Sequence, residues 1–115
     1  MWLSNVGALI TLGLGCIAVF KPQAIEQFVS VEAIGKEGKS EIRATYGGFF
    51  VAFALMCLWH QETLLSNCLG FCWLMAGLVR LISLFTGSFS LKNLGGVAFE
   101  CGIGALCLGK MLASV

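Results

Sequence analysis

Four stretches of this chain are too apolar, over too great a length, to form the surface of a water-soluble domain: Trp2 to Phe20, Ala44 to Trp59, Leu64 to Phe85 and Leu94 to Leu112. A helix needs roughly 20 apolar residues to cross a hydrocarbon core about 30 Å thick. Only helices and closed barrels satisfy their own backbone polar groups in that environment. The expected fold is therefore all-α, a four-helix transmembrane bundle with up-down topology. It would form a single integral membrane domain over residues 1–115, with spans at about 2–20, 42–59, 64–85 and 94–112. The second stretch is short, so Ile42 and Arg43 are drawn into its helix and Arg43 snorkels to the interface. Ser40 is then the expected N-cap, and Glu41 falls where the positive end of the helix dipole favours a carboxylate. Composition agrees, with 58% hydrophobic and 11% charged residues against roughly a quarter charged in soluble domains.

Several chemistries are excluded early. The net charge is +1 and the basic residues form no run or stripe, so no nucleic-acid partner is expected. His60 is the single histidine and aspartate is absent, which removes a Ser-His-Asp triad and a haem held by two histidines of one chain. Cys16, Cys57, Cys68, Cys72, Cys101 and Cys107 all lie in apolar segments without a CxxC pair, and read as small core residues in reduced form. Cys68 and Cys72 share a helical face but have no further ligand nearby for zinc. Neither a metal nor another cofactor is expected. Met1 to Asn5 carries no Lys or Arg and no small-x-small site follows, so the first apolar run is expected to be retained rather than cleaved.

The connections fix an orientation. Lys21 to Lys39 is a polar loop in which Pro22 ends the first helix, and Ala24 to Ile34 places Ile25, Phe28, Val29 and Glu32 at the spacing of a short interfacial helix. His60 to Thr63 is tight, Thr86 to Asn93 joins the last two helices, and Gly35, Gly38 and Gly87 mark turns. Lys21, Lys36, Lys39, Arg43 and Lys92 fall on one side and Lys110 on the other, so both termini are expected to face outward. Trp2 and Trp59, at helix ends on one side, read as interface anchors, and Trp73 as a packing residue.

Two ionised residues sit inside the apolar runs, Arg80 in the third and Glu100 in the fourth. Arg80 lies roughly 7.5 Å from its helix end and Glu100 roughly 9 Å, both from the same membrane face, so the two are level. Gly70, Trp73, Gly77 and Arg80 share one helical side, as do Gly96, Glu100 and Gly104. Small residues at that spacing mark packing faces, as do Ala44, Gly48 and Ala52 on the second helix and Ala8, Thr11, Gly15 and Ala18 on the first. The charges therefore ride on packing faces. Glu41, Arg43 and Tyr46 enter at the same membrane face, so Glu41, Arg43, Tyr46, Arg80 and Glu100 form a candidate polar cluster opening toward the cytoplasmic interface. Three readings of Arg80 and Glu100 stand open: a structural ion pair, a ligand cavity built on that pair, or independent snorkelling.

The run Gly38-Lys39-Ser40-Glu41-Ile42-Arg43-Ala44-Thr45-Tyr46-Gly47-Gly48 resembles the signature of an uncharacterised bacterial membrane family, domain of unknown function 4345. The resemblance covers essentially the whole chain. It implies four spans in the bacterial cytoplasmic membrane, the motif opening the second helix, and an arginine and a glutamate in the third and fourth, here Arg80 and Glu100. It implies no activity. An accessory or structural subunit of a larger membrane assembly is the first functional expectation, its partners being the lipid bilayer and other membrane subunits or copies of itself. A small transporter or lipid-binding protein using the Arg/Glu site is the alternative. Small four-helix drug exporters are similar in size, but their essential glutamate lies in the first helix, which is uncharged here. An enzyme acting on a lipid or isoprenoid, with Glu41 or Glu100 as acid or base, is the third reading, and no spacing in the chain requires it.

Overall fold

The structure is a computed structural model that describes residues 2–29, 31–87 and 89–109, the side chain of Trp2 excepted. Among the described residues all regular structure is helical: α1 (Trp2–Phe20), α2 (Pro22–Val29), α3 (Gly35–Ile42), a π-helical turn (Arg43–Phe49), α4 (Phe50–His60), α5 (Thr63–Phe85) and α6 (Leu91–Cys107). α3, the π turn and α4 run on as one helix, Gly35–His60. That helix, Leu3–Phe20 and Thr63–Phe85 are each long and apolar enough to cross a membrane. α6 has 17 residues, about 25 Å at 1.5 Å per residue. Of the fourth apolar stretch, residues 110–112 lie outside the described residues, as does the Trp2 side chain.

α1 has the range expected from the sequence, and α5 begins one residue earlier than expected. The helix that carries the second apolar stretch begins before Ile42. Helix starts at Gly35, after Ile34 in an extended conformation, and Gly38 donates its backbone N–H to the Ile34 carbonyl at 3.0 Å. Ser40 is therefore helical interior and not an N-cap, Glu41 is remote from the positive end of the dipole, and Gly38 is not a turn. The apolar run underestimates the helix because its first turns are polar and carry no hydropathy signal. Gly38 suits this place sterically: a Cβ there would stand 3.0–3.2 Å from the backbone and side chain of Ala33.

Contacts group the chain into two units, Ala8–His60, and Gln61–Val115 with Met1–Gly7. In the first, Pro22 opens α2 where its missing N–H costs nothing, and Ile25 turns inward against Ala18 and Ile42. Val29, Ala33 and Tyr46 close around this small core. The helix expected over Ala24–Ile34 is thus shorter, and the chain after it is tied back by the Ala33 N–H donating to Glu26 Oε1 at 2.9 Å.

The α1 packing face is the expected one, since Ala8, Thr11, Gly15 and Ala18 are all buried. The facing helix is rotated from expectation. Ala44, Gly48 and Ala52 are exposed, and a Cβ on Gly48 would meet nothing within 4 Å. The buried positions are Ile42, Gly47, Ala54 and Cys57. The step from Ile42 to Gly47 is the period of a π turn, whose i→i+5 bonds take in one residue more than an α turn, so a register counted in fours slips to the neighbouring stripe. Gly47 sits where a Cβ would strike Val19, and Gly15 where one would strike Val51 and Phe50.

In the second unit α5 and α6 are antiparallel along a seam of glycines. A Cβ on Gly70 would lie 3.0 Å from the Gly104 carbonyl oxygen, and one on Gly104 would lie 3.0 Å from that of Gly70. Gly77 approaches Cys101 in the same way. Trp73 is buried beside them, its ring edge-on to Phe99 with centroids 6.4 Å apart. At the far end Ser4 donates its hydroxyl to the Cys107 carbonyl at 3.0 Å. The expected faces, Gly70-Trp73-Gly77-Arg80 and Gly96-Glu100-Gly104, are the ones that meet.

This seam predicts an asymmetry between neighbouring glycines of α6. Gly104→Leu should lower stability by about 1–3 kcal/mol through overpacking, whereas Gly102→Ala, where a Cβ would meet nothing within 4 Å, should leave it unchanged or slightly raised. Thermal unfolding of both variants in mild detergent measures the difference, and equal midpoints would contradict the seam.

Candidate functional site

Arg80 and Glu100 form an ion pair, Nε donating to Oε1 at 2.5 Å. Local structure brings them there. Ser90, in extended conformation, accepts a hydrogen bond from the Asn93 N–H at 3.0 Å and so caps α6. That start fixes where Glu100 falls on the helix. Gly96, one turn earlier on the same face, leaves room for the arginine: a Cβ there would lie 3.0 Å from Arg80 Cδ and 3.1 Å from Nε. The guanidinium thus lies over a glycine to reach the carboxylate. Gly77 lies beside the Glu100 stem, where a Cβ would be in ordinary contact with the Glu100 Cβ at 3.6 Å but would strike Cys101 Sγ.

Exposure of the two partners is unequal. The Glu100 side chain is 11% exposed and that of Arg80 35%. The arginine faces an open groove of about 770 Å³ along α5 and α6, within the range of roughly 300–1,000 Å³ found for ligand sites. Cys72, Met75, Ala76 and Val79 form its apolar length, and Arg80, Ser83, Asn93 and Glu100 lie at the end where the two helices are joined. Ser83 spends its hydroxyl proton on the Val79 carbonyl at 3.1 Å, so toward the groove its oxygen is an acceptor. The groove is amphipathic along its axis, apolar for two helical turns and polar at the final one.

Of the five residues expected to cluster, the structure joins Arg80 and Glu100. Glu41, Arg43 and Tyr46 belong to the other unit. There Glu41 accepts a hydrogen bond from the Thr45 hydroxyl at 3.1 Å, Arg43 is exposed at the first residue of the π turn, and Tyr46 packs on the Ala18-Ile25-Ile42 core with its ring edge-on to Phe50. Sequence reasoning missed Ser83 and Asn93. A signal for them existed: Ser83 follows Arg80 by three residues and Asn93 precedes Glu100 by seven, so each shares its partner's helical face. Among the described residues no group of three or more His, Cys, Asp or Glu is placed to hold a metal ion.

The structure thus defines an all-helical chain with three helices of membrane-spanning length and apolarity, and with an arginine–glutamate pair between two antiparallel helices. The chain belongs to the family described as Domain of unknown function (DUF4345), whose profile matches residues 1–109. No curated protein and no solved structure matches it.

Removing one charge of the pair should cost more than removing both. Glu100→Gln leaves a guanidinium against a seam without its counter-charge, whereas Arg80→Met with Glu100→Leu replaces both by apolar groups. With Arg80 partly exposed, the single change should destabilise by about 1–3 kcal/mol, between the surface and fully buried limits. Unfolding in detergent should rank the double variant above the single one, and a single variant as stable as wild type would exclude a stabilising pair.

Proposed function

We propose that this protein is a multi-pass membrane protein that binds a lipid in the groove between α5 and α6, with the Arg80–Glu100 pair at the headgroup end. One observation carries this reading: the pair lies at the polar end of an open groove whose remaining length is apolar. Pairing alone requires contact between the two side chains and no groove beside them. An amphiphile matches both ends of the groove, and a bilayer supplies amphiphiles at high local concentration.

In this proposal α1, the Gly35–His60 helix, α5 and α6 cross the bilayer as a four-helix bundle. The apolar stretch of the sequence around α6 supports the fourth crossing. The basic residues Lys21, Lys36, Lys39, Arg43 and Lys92 assign their side to the cytoplasm. A specific observation also favours the accessory-subunit reading: Ala44, Gly48 and Ala52 leave an exposed small-residue stripe of the kind at which membrane helices associate. Lipid binding stands first because it accounts for the charges as well as the apolar surface.

Two measurements test these proposals. The wild-type protein should retain lipid through detergent size exclusion, seen by native mass spectrometry. Ala76→Trp, which fills the groove at an exposed position and keeps both charged residues, should lose it with little change in unfolding temperature; undiminished lipid in Ala76→Trp would remove the groove as the site. For orientation, Glu62→Cys should react with a membrane-impermeant maleimide in intact cells and Lys36→Cys only after permeabilisation, and the reverse pattern would invert the topology.

A further inference from the structure

The geometry points to a zwitterionic phospholipid bearing a primary ammonium, an ethanolamine-type headgroup, as the occupant of the α5–α6 groove. The inference rests on the lipid-binding reading above and names the chemistry of its ligand. It starts from the charges that line the groove among the described residues, one cation, Arg80, and one anion, Glu100, in contact with each other. The other polar lining groups, Ser83 and Asn93, are neutral, and Lys92 does not line the groove. A headgroup carrying only negative charge would approach Arg80 at the cost of lying against the Glu100 carboxylate. A headgroup carrying both signs meets a partner for each.

The donors and acceptors divide in the same way. A guanidinium is a planar fork of N–H donors suited to phosphate oxygens, and that of Arg80 meets Glu100 through Nε. On the acceptor side stand the Glu100 carboxylate and the Ser83 oxygen, whose own proton is given to Val79. Acceptors call for N–H donors, which a primary ammonium has and a quaternary ammonium lacks. A quaternary ammonium is recognised instead by aromatic faces, and among the described residues no aromatic side chain lines this groove. Choline is therefore disfavoured by the same residues that favour ethanolamine. The apolar length along Met75 and Val79 then receives an acyl chain.

The test is competition among lipids of one chain composition. Purified protein, delipidated and incubated with an equimolar mixture of phosphatidylethanolamine, phosphatidylcholine and phosphatidylglycerol in mixed micelles, is examined by native mass spectrometry. The ethanolamine lipid should exceed each competitor by about tenfold, the factor that one charge-assisted hydrogen bond supplies. Glu100→Gln, which leaves Arg80 as an uncompensated cation, should shift the preference toward phosphatidylglycerol. Wild-type selectivity is measured without any variant and decides the inference even if Glu100→Gln fails to fold. Phosphatidylglycerol or phosphatidylcholine bound as well as or better than phosphatidylethanolamine, and lost in Ala76→Trp, would overturn the headgroup assignment and leave the groove standing. Retention of no lipid, or equal retention in Ala76→Trp, would overturn both.

Discussion

The contact between Arg80 and Glu100 is the constraint on which the second unit depends. Two ionised groups in an apolar environment must meet or be neutralised, and the meeting fixes how α5 and α6 slide and rotate against each other. A slip of one residue along either helix moves a side chain by 1.5 Å and about 100° around the axis, enough to part the pair. The glycine seam works with this electrostatic lock. Gly70 and Gly104 let the backbones approach at one level, Gly77 admits Cys101 at a second, and Gly96 gives the guanidinium its bed at a third. Small residues alone permit close approach at several registers, and the charge pair selects one.

In the Ala8–His60 unit the corresponding device is steric. Gly15 and Gly47 remove side chains where α1 meets the π turn, and Ile42, Ile25 and Ala18 fill the space beneath. The residues Arg43 to Gly48, the second half of the Gly38–Gly48 run, lie within that turn. A π turn is rare and widens the helix locally. Its effect here is to carry the inward stripe from Ile42 to Gly47 and to leave Ala44 and Gly48 facing outward. The motif thus has a structural consequence in this chain, a change of helical face between the polar end and the apolar body of one continuous helix.

What the sequence disclosed follows from the same physics. α1 and α5 were legible because a long apolar run is bounded by Pro22 in one case and by polar residues in the other. The Arg80–Glu100 contact was legible because depth from a shared membrane face and position on a helical side are both arithmetic in residue number. The start of the Gly35–His60 helix was not, since its first turns are polar and hydropathy is blind to them. Nor was the rotation at Gly47, because a reading in steps of three and four presumes an unbroken α ladder. Ser83 and Asn93 were passed over for another reason. Neutral polar residues near helix ends are common, and their meaning comes from the charged pair they flank.

Stability and binding need not compete for the same pair. Glu100 is the more sheltered partner, set into the seam beside Gly77, and Arg80 is the more exposed, laid over Gly96 toward the groove. The carboxylate therefore holds the arginine in place on the groove side of the seam. An arginine held in this way loses little conformational freedom when a ligand arrives, because its side chain is already ordered by the helix seam and by its counter-ion. The same ion pair can thus set the helix register in the empty protein and preorganise the polar end of the groove for an occupant.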